Sequence, residues 1–125
     1  MQPEASKRPV VLIVEDETLL RLHVSEAIED AGFDVVEAKN ADDAISILEQ
    51  RSDIFLIFTD VNMPGSMDGL KLAHFVKGRW PPIKIIATSG HAKVTADDLP
   101  AGGHFIPKPY RAAEIADAIH QLVSP

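Results

Sequence analysis

Short apolar runs of strand length alternate along this chain with longer stretches in which apolar residues recur every three or four positions. A hydrophobic period that keeps switching between these two values fits neither a helical bundle nor an all-β sandwich; it prescribes the order β, α, β, α. The runs lie at 10–14, 33–38, 54–59, 83–88 and 104–107, and the helical stretches at 17–31, 41–51, 69–79 and 111–123, with a weak one near 94–99. Three of the runs are nearly continuous in Val, Ile, Leu and Phe, as expected for parallel strands covered on both faces. With right-handed helical crossovers, five such strands make a doubly wound three-layer sandwich of the flavodoxin-like kind, in strand order 2-1-3-4-5.

Local chemistry supports the limits. Gly32 follows the first helix as a stop, and Asn40 with Asp43 three residues on resembles a capping box for the second. Ala112, Ile115, Ala116, Ile119 and Leu122 make one apolar stripe, so that face of the last helix is expected to pack on the sheet. Pro107 has no N–H for a ladder, which sends its strand to an edge. Trp80-Pro81-Pro82 reads as a rigid connector into the fourth strand, not as a proline-recognition ligand.

At 125 residues, 46% of them hydrophobic, the chain is expected to build one domain with a real core over 10–125, preceded by a flexible segment at 1–9. Twelve Lys and Arg against nineteen Asp and Glu give a net charge of −7, which disfavours nucleic acid and anionic membranes as partners. Without cysteine there is neither a disulfide framework nor a thiolate site, and no targeting or membrane-spanning segment is visible, so a cytoplasmic protein is expected.

In such sheets ligands bind beyond the carboxyl ends of the strands. Glu15 and Asp16 follow the first strand, Asp60 the third, Ser89 and Gly90 the fourth, and Lys108 the fifth. Two carboxylates about 5 Å apart repel by roughly 3 kcal/mol at an effective dielectric of 20, so three together require cations. Lys108 offsets one charge, and an all-oxygen set calls for Mg²⁺ for the rest. A carboxylate beside Mg²⁺ and an ammonium, with a hydroxyl nearby, has the parts to accept a phosphoryl group. Asp60, which ends the central strand, is the nucleophile of choice; Glu15 and Asp16 suit a metal-binding pair.

Together these residues resemble the receiver domain of two-component response regulators, the family of the chemotaxis regulator. The likeness rests on Val14-Glu15-Asp16-Glu17, on Thr59-Asp60-Val61-Asn62-Met63-Pro64 with Met67-Asp68-Gly69, on Thr88-Ser89-Gly90, and on Phe105 three residues before Lys108-Pro109. The resemblance implies that Asp60 is phosphorylated by a histidine kinase or a histidine phosphotransfer protein. It implies Mg²⁺ on Asp16, Asp60 and the backbone carbonyl of Asn62, with Glu15 acting through water. Ser89 would contact the phosphoryl group, Phe105 would be the switch aromatic, Lys108 would pair with phosphoryl oxygens, and the bond before Pro109 would often be cis.

The chain departs from the family pattern in places. Glu15 stands for the commoner Asp and Ser89 for the commoner Thr, and Gly65-Ser66 lengthen the loop after Asp60 by one residue. Pro100, Gly102 and Gly103 leave room for only a short fourth helix, at the face the family commonly uses for output. His91, two residues past Ser89, is a candidate for tuning dephosphorylation. No histidine has a partner at metal-ligand spacing, which excludes zinc. Leu22 points away from the apolar face formed by Leu20, Val24, Ala27, Ile28 and Ala31, among Ser25, Glu26 and Glu29, and is a candidate contact for the phosphodonor's helices.

The expectation is thus a stand-alone receiver, monomeric or weakly dimeric, that is not an enzyme and signals to an unknown downstream protein. A phosphate sink or shuttle between histidine proteins is equally open, and a receiver-shaped interaction module that works without phosphate is the alternative. A small Mg²⁺-dependent aspartyl-phosphate phosphatase is disfavoured because Asn62 stands where a second aspartate is usual and no cap insertion exists. A flavodoxin-like cofactor carrier is disfavoured because Glu15-Asp16-Glu17 would repel a flavin phosphate.

Overall fold

A computed structural model describes residues 8–63, 65, 67–90 and 93–123. The elements are β1 (Val10–Val14), α1 (Thr18–Asp30), β2 (Asp34–Ala38), α2 (Ala41–Gln50), β3 (Ile54–Asp60), α3 (Gly69–Arg79), β4 (Lys84–Ser89), a 3-10 turn (Ala96–Asp98), β5 (His104–Pro107) and α4 (Ala112–Val123). All strand pairs are parallel, and the sheet runs β2-β1-β3-β4-β5. Pro107 lies on the edge strand, where its missing N–H costs no rung.

The pleat divides the core into two layers. Val10, Leu12 and Val14 face one side with Ala44 and Leu48 of α2 and Leu72, Ala73 and Val76 of α3. Val11 and Ile13 face the other, with Val24 and Ile28 of α1 and Ile115 and Ile119 of α4. A bulge sets the parity of β3: Val10 pairs with Ile54 but Val11 with Leu56, so the additional residue Phe55 brings Leu56 and Phe58 onto the α1/α4 side.

Helix ends follow from local hydrogen bonding. Gly32 takes φ 105° after α1, a conformation that only glycine adopts without strain, and its N–H reaches Glu29 O at 3.0 Å. Asn40 Oδ1 accepts from Asp43 N at 2.8 Å. The Asp43 carboxylate returns a bond to Lys39 N, at 3.2 Å, so the reciprocal half of the expected box falls one residue early.

Three sequence expectations need correction. Ala112 is exposed and Ala118 takes its place in the stripe, because the first turn of α4 stands clear of the core and the buried set starts at Ile115. Ser25 is buried, so its flank of α1 is covered by neighbouring structure instead of facing water as its place beside Glu26 and Glu29 implied. The weak helix near 94–99 is only the three-residue 3-10 turn, closed by a reciprocal Thr95–Asp98 cap. Leu99 beyond it is extended, as a residue preceding proline prefers.

The backbones of α3 and β3 meet closely at one point. Gly69 opens α3 directly against the backbone of Asp60, and a β-carbon there would overlap the Asp60 carbonyl, whereas Gly78 in the same helix has open space. Gly69→Ala is expected to cost about 2 kcal/mol or more in urea denaturation, the scale of overpacking. Gly78→Ala should gain about 0.5–1 kcal/mol by removing helix-interior glycine.

Candidate functional site

Four strand ends at the carboxyl edge of the sheet deliver the site. Glu15 extends β1 by one rung, its N–H reaching Ala38 O at 3.1 Å; Val61 N bonds Thr88 O at 2.9 Å, and Lys108 N bonds Ser89 O at 2.9 Å. These rungs outlast the regular ladders and fix the strand ends relative to one another.

Glu15 (4% exposed) and Asp60 (5%) are buried, Asp16 is exposed, and one carboxylate oxygen from each lies within 4.8 Å of the others. Lys108 Nζ stands 3.3 Å from Asp60 Oδ1 and 3.9 Å from Glu15 Oε1. Glu15 Oε2 accepts from Glu17 N at 2.9 Å, and Asp60 Oδ1 accepts from Asn62 N at 3.3 Å. Ser89, buried, donates its hydroxyl to Asn62 Oδ1 at 3.0 Å. The Lys108–Pro109 bond is cis.

The donor set is all oxygen, converges on one point and carries more negative charge than Lys108 offsets, so it fits a hard divalent cation. The acidic pocket likewise fits phosphorylation of an aspartate. Of the residues expected at a site, Glu15, Asp16, Asp60, Asn62, Ser89 and Lys108 come together. Phe105 lies apart: paired with Ala87, it packs on the α2/α3-side core, whose members include Val94 and Leu99. His91, Pro64 and Ser66 lie outside the described residues.

Several participants carried no sequence signal. Arg21 donates from Nη1 to Glu15 O at 2.8 Å and from Nε to Glu37 Oε1 at 3.0 Å, tying the loop after β1 to β2. That pairing joins α1 to β2 and has no local spacing to betray it. Tyr110 packs edge-on against Phe58, with ring centroids 6.0 Å apart, and its hydroxyl is buried without a partner among the described residues. Burial foremost, and then the charges of Glu15, Asp60 and Glu17, hold that phenol above its ordinary range. Leu20, His23, Lys108, Pro109 and Tyr110 line a cavity of about 330 Å³ beside the acidic cluster. On α1 nearby, Leu22 is 51% exposed, as its position implied, and Leu19 is 79% exposed.

Residues 11–120 match the response regulator receiver domain family. The chain is 32% identical to the sensor kinase CckA of Brucella abortus over 96% of its own length but only 13% of that protein's. It is 33% identical to the nitrogen assimilation regulatory protein NtrX of Azorhizobium caulinodans, with 82% of this chain and 23% of the relative covered. With the response regulator receiver protein CpdR of Brucella abortus it shares 29% identity over 90% of this chain and 95% of the relative. The crystal structure of a response regulator receiver protein from Sinorhizobium medicae superposes with a TM-score of 0.85 at 27% identity, covering 93% of this chain and 94% of the other.

The chain therefore belongs to the response regulator receiver domain family and is a receiver domain of two-component signalling. Receiver domains are typically signalling modules rather than enzymes. Among the described residues no helix is long and apolar enough to cross a membrane.

The electrostatics give a measurable signature. Burial, with the Asp60 charge and an Asp16 hydrogen bond added, pushes the Glu15 carboxyl from 4.5 to about 7, against the opposing pull of the Glu17 N–H and Lys108. Between these values the folded chain keeps a proton that the unfolded chain has released, so stability falls as pH rises through the window and levels off above it. In metal-free buffer, wild type is expected to lose up to roughly 3 kcal/mol relative to Glu15→Gln between about pH 4.5 and 7. Urea unfolding at several pH values reads this. Millimolar Mg²⁺ should reverse the trend, because a cation needs the deprotonated ligand.

Proposed function

We propose that this receiver accepts a phosphoryl group on Asp60 from the phosphohistidine of a histidine kinase or histidine phosphotransfer protein, and passes the signal on through an altered protein contact. The observation that carries the reading is the buried Asp60 carboxylate at the end of the central strand, with two further carboxylates within 4.8 Å and the Lys108 ammonium at 3.3 Å.

In this reading an Asp60 oxygen attacks the phosphorus. The new O–P bond forms as the P–N bond breaks, and the electron pair leaves on the imidazole nitrogen. Lys108 neutralises a phosphoryl oxygen, and Ser89 donates its hydroxyl proton to another. Asp16, Asp60 and the Asn62 carbonyl would hold Mg²⁺, with Glu15 acting through water. When bound, the ion offsets the charge that develops on the equatorial oxygens. Phe105, paired with Ala87 two residues before Ser89, is the aromatic whose rotamer would follow Ser89.

The phosphodonor's helices are proposed to rest on α1 at Leu19 and Leu22, next to the cavity by Lys108. Exposed leucines are ordinary singly. Two of them on the helix that borders the acceptor favour a docking role.

Acetyl phosphate with Mg²⁺ should add one phosphoryl group to the intact protein by mass spectrometry, and Asp60→Asn or EDTA should abolish the gain. Retention of the adduct by Asp60→Asn would refute the assignment. Leu22→Ser should slow transfer from the cognate donor about tenfold, the loss of one buried interface contact, and leave acetyl phosphate labelling at the wild-type rate. Equal transfer rates would remove Leu22 from the docking surface.

A further inference from the structure

The Ser89 hydroxyl has one proton to give, and it gives it to the Asn62 side-chain oxygen at 3.0 Å. Ser89 is 1% exposed, so that proton has little access to bulk water. A phosphoryl oxygen on Asp60 would call on the same proton. The two uses exclude each other. Asn62 is itself tied to the acceptor, its N–H bonding Asp60 Oδ1 at 3.3 Å, so the competing amide sits within the same three-residue turn as the reacting carboxylate.

We propose that the Asn62 side-chain amide is a latch on Ser89: it holds the hydroxyl away from Asp60 in the unphosphorylated protein and must be displaced for the phosphorylated form to be stabilised. This rests on Asp60 being the phosphoacceptor and adds to it a positioning residue that weights the resting state. Asn62 is exposed, so water takes over its oxygen once the latch opens. The latch is consequently modest in strength and reversible. It acts through Ser89 and opposes the phosphorylated state, whereas the Asn62 main-chain carbonyl would favour it through the metal. The two parts of one residue pull in opposite directions.

The test titrates beryllofluoride, which mimics the phosphoryl group on Asp60, into the intact protein in saturating Mg²⁺, with bound fluorine read by ¹⁹F NMR. Asn62→Ala is expected to bind beryllofluoride about fivefold more tightly than wild type, the ratio carried by one net hydrogen bond. Asn62→Met, which keeps the bulk but not the acceptor, should shift affinity in the same direction. In a Ser89→Ala background, Asn62→Ala should change affinity less than about twofold, because the proton being contested is gone. Unchanged or weaker binding by Asn62→Ala, or equal tightening with and without the Ser89 hydroxyl, would overturn the latch. If wild type takes beryllofluoride and the Asn62 variants do not tighten, the latch alone fails. If wild type takes none, the Asp60 assignment fails and the latch with it.

Discussion

Three carboxylates crowded at the rim of a sheet are an electrostatic burden that folding alone does not justify. At about 5 Å each pair repels by roughly 3 kcal/mol for an effective dielectric of 20. Lys108 answers part of this from across two strands, at 3.3 Å from Asp60 and 3.9 Å from Glu15. The rest is carried by N–H donors, by Glu15 holding its proton to about pH 7, and by the appetite of the site for a divalent cation. Burial sharpens all of these effects. A site so poised is receptive to positive charge and to an electrophilic phosphorus, and the remaining architecture serves to keep it assembled.

The scaffold achieves this by dividing labour between strands. The end of β1 supplies the acidic pair, β3 the buried Asp60, β4 the hydroxyl and the end of β5 the cation, so no single loop carries the site. Backbone rungs beyond the ladders hold the strand ends in register, and Arg21 anchors the loop after β1 to Glu37 on β2. The tight seat of Gly69 on the Asp60 carbonyl locks the far side of the turn after Asp60. Rigid elements of this kind place groups more finely than loops can.

Much of this was legible in the sequence because it is written in local periods. Nearly continuous Val10–Val14 announces a two-sided strand, Gly32 a helix stop, and Pro107 an edge, and each follows from steric or hydrogen-bonding rules that act within a few residues. The polar residues after the strands could be pooled into one site because doubly wound sheets gather strand ends at one rim. What stayed hidden was tertiary. Nothing in the spacing of Arg21 points to Glu37, and nothing about Ser25 tells it from a solvated serine until its flank of α1 is covered. Ala118 displaced Ala112 from the buried stripe because composition cannot say which turn of an alanine-rich helix first meets the core.

The hydrogen bond from Lys108 N to Ser89 O, at 2.9 Å, gives the molecule a mechanical property. The residue whose amine lies 3.3 Å from Asp60 and the residue whose hydroxyl meets Asn62 are thus joined through their backbones by a single hydrogen bond. A pull on either is felt by the outermost strand, which has a neighbour on only one side. A change in the ionic balance at the centre of the sheet therefore has a direct backbone route to its β5 margin.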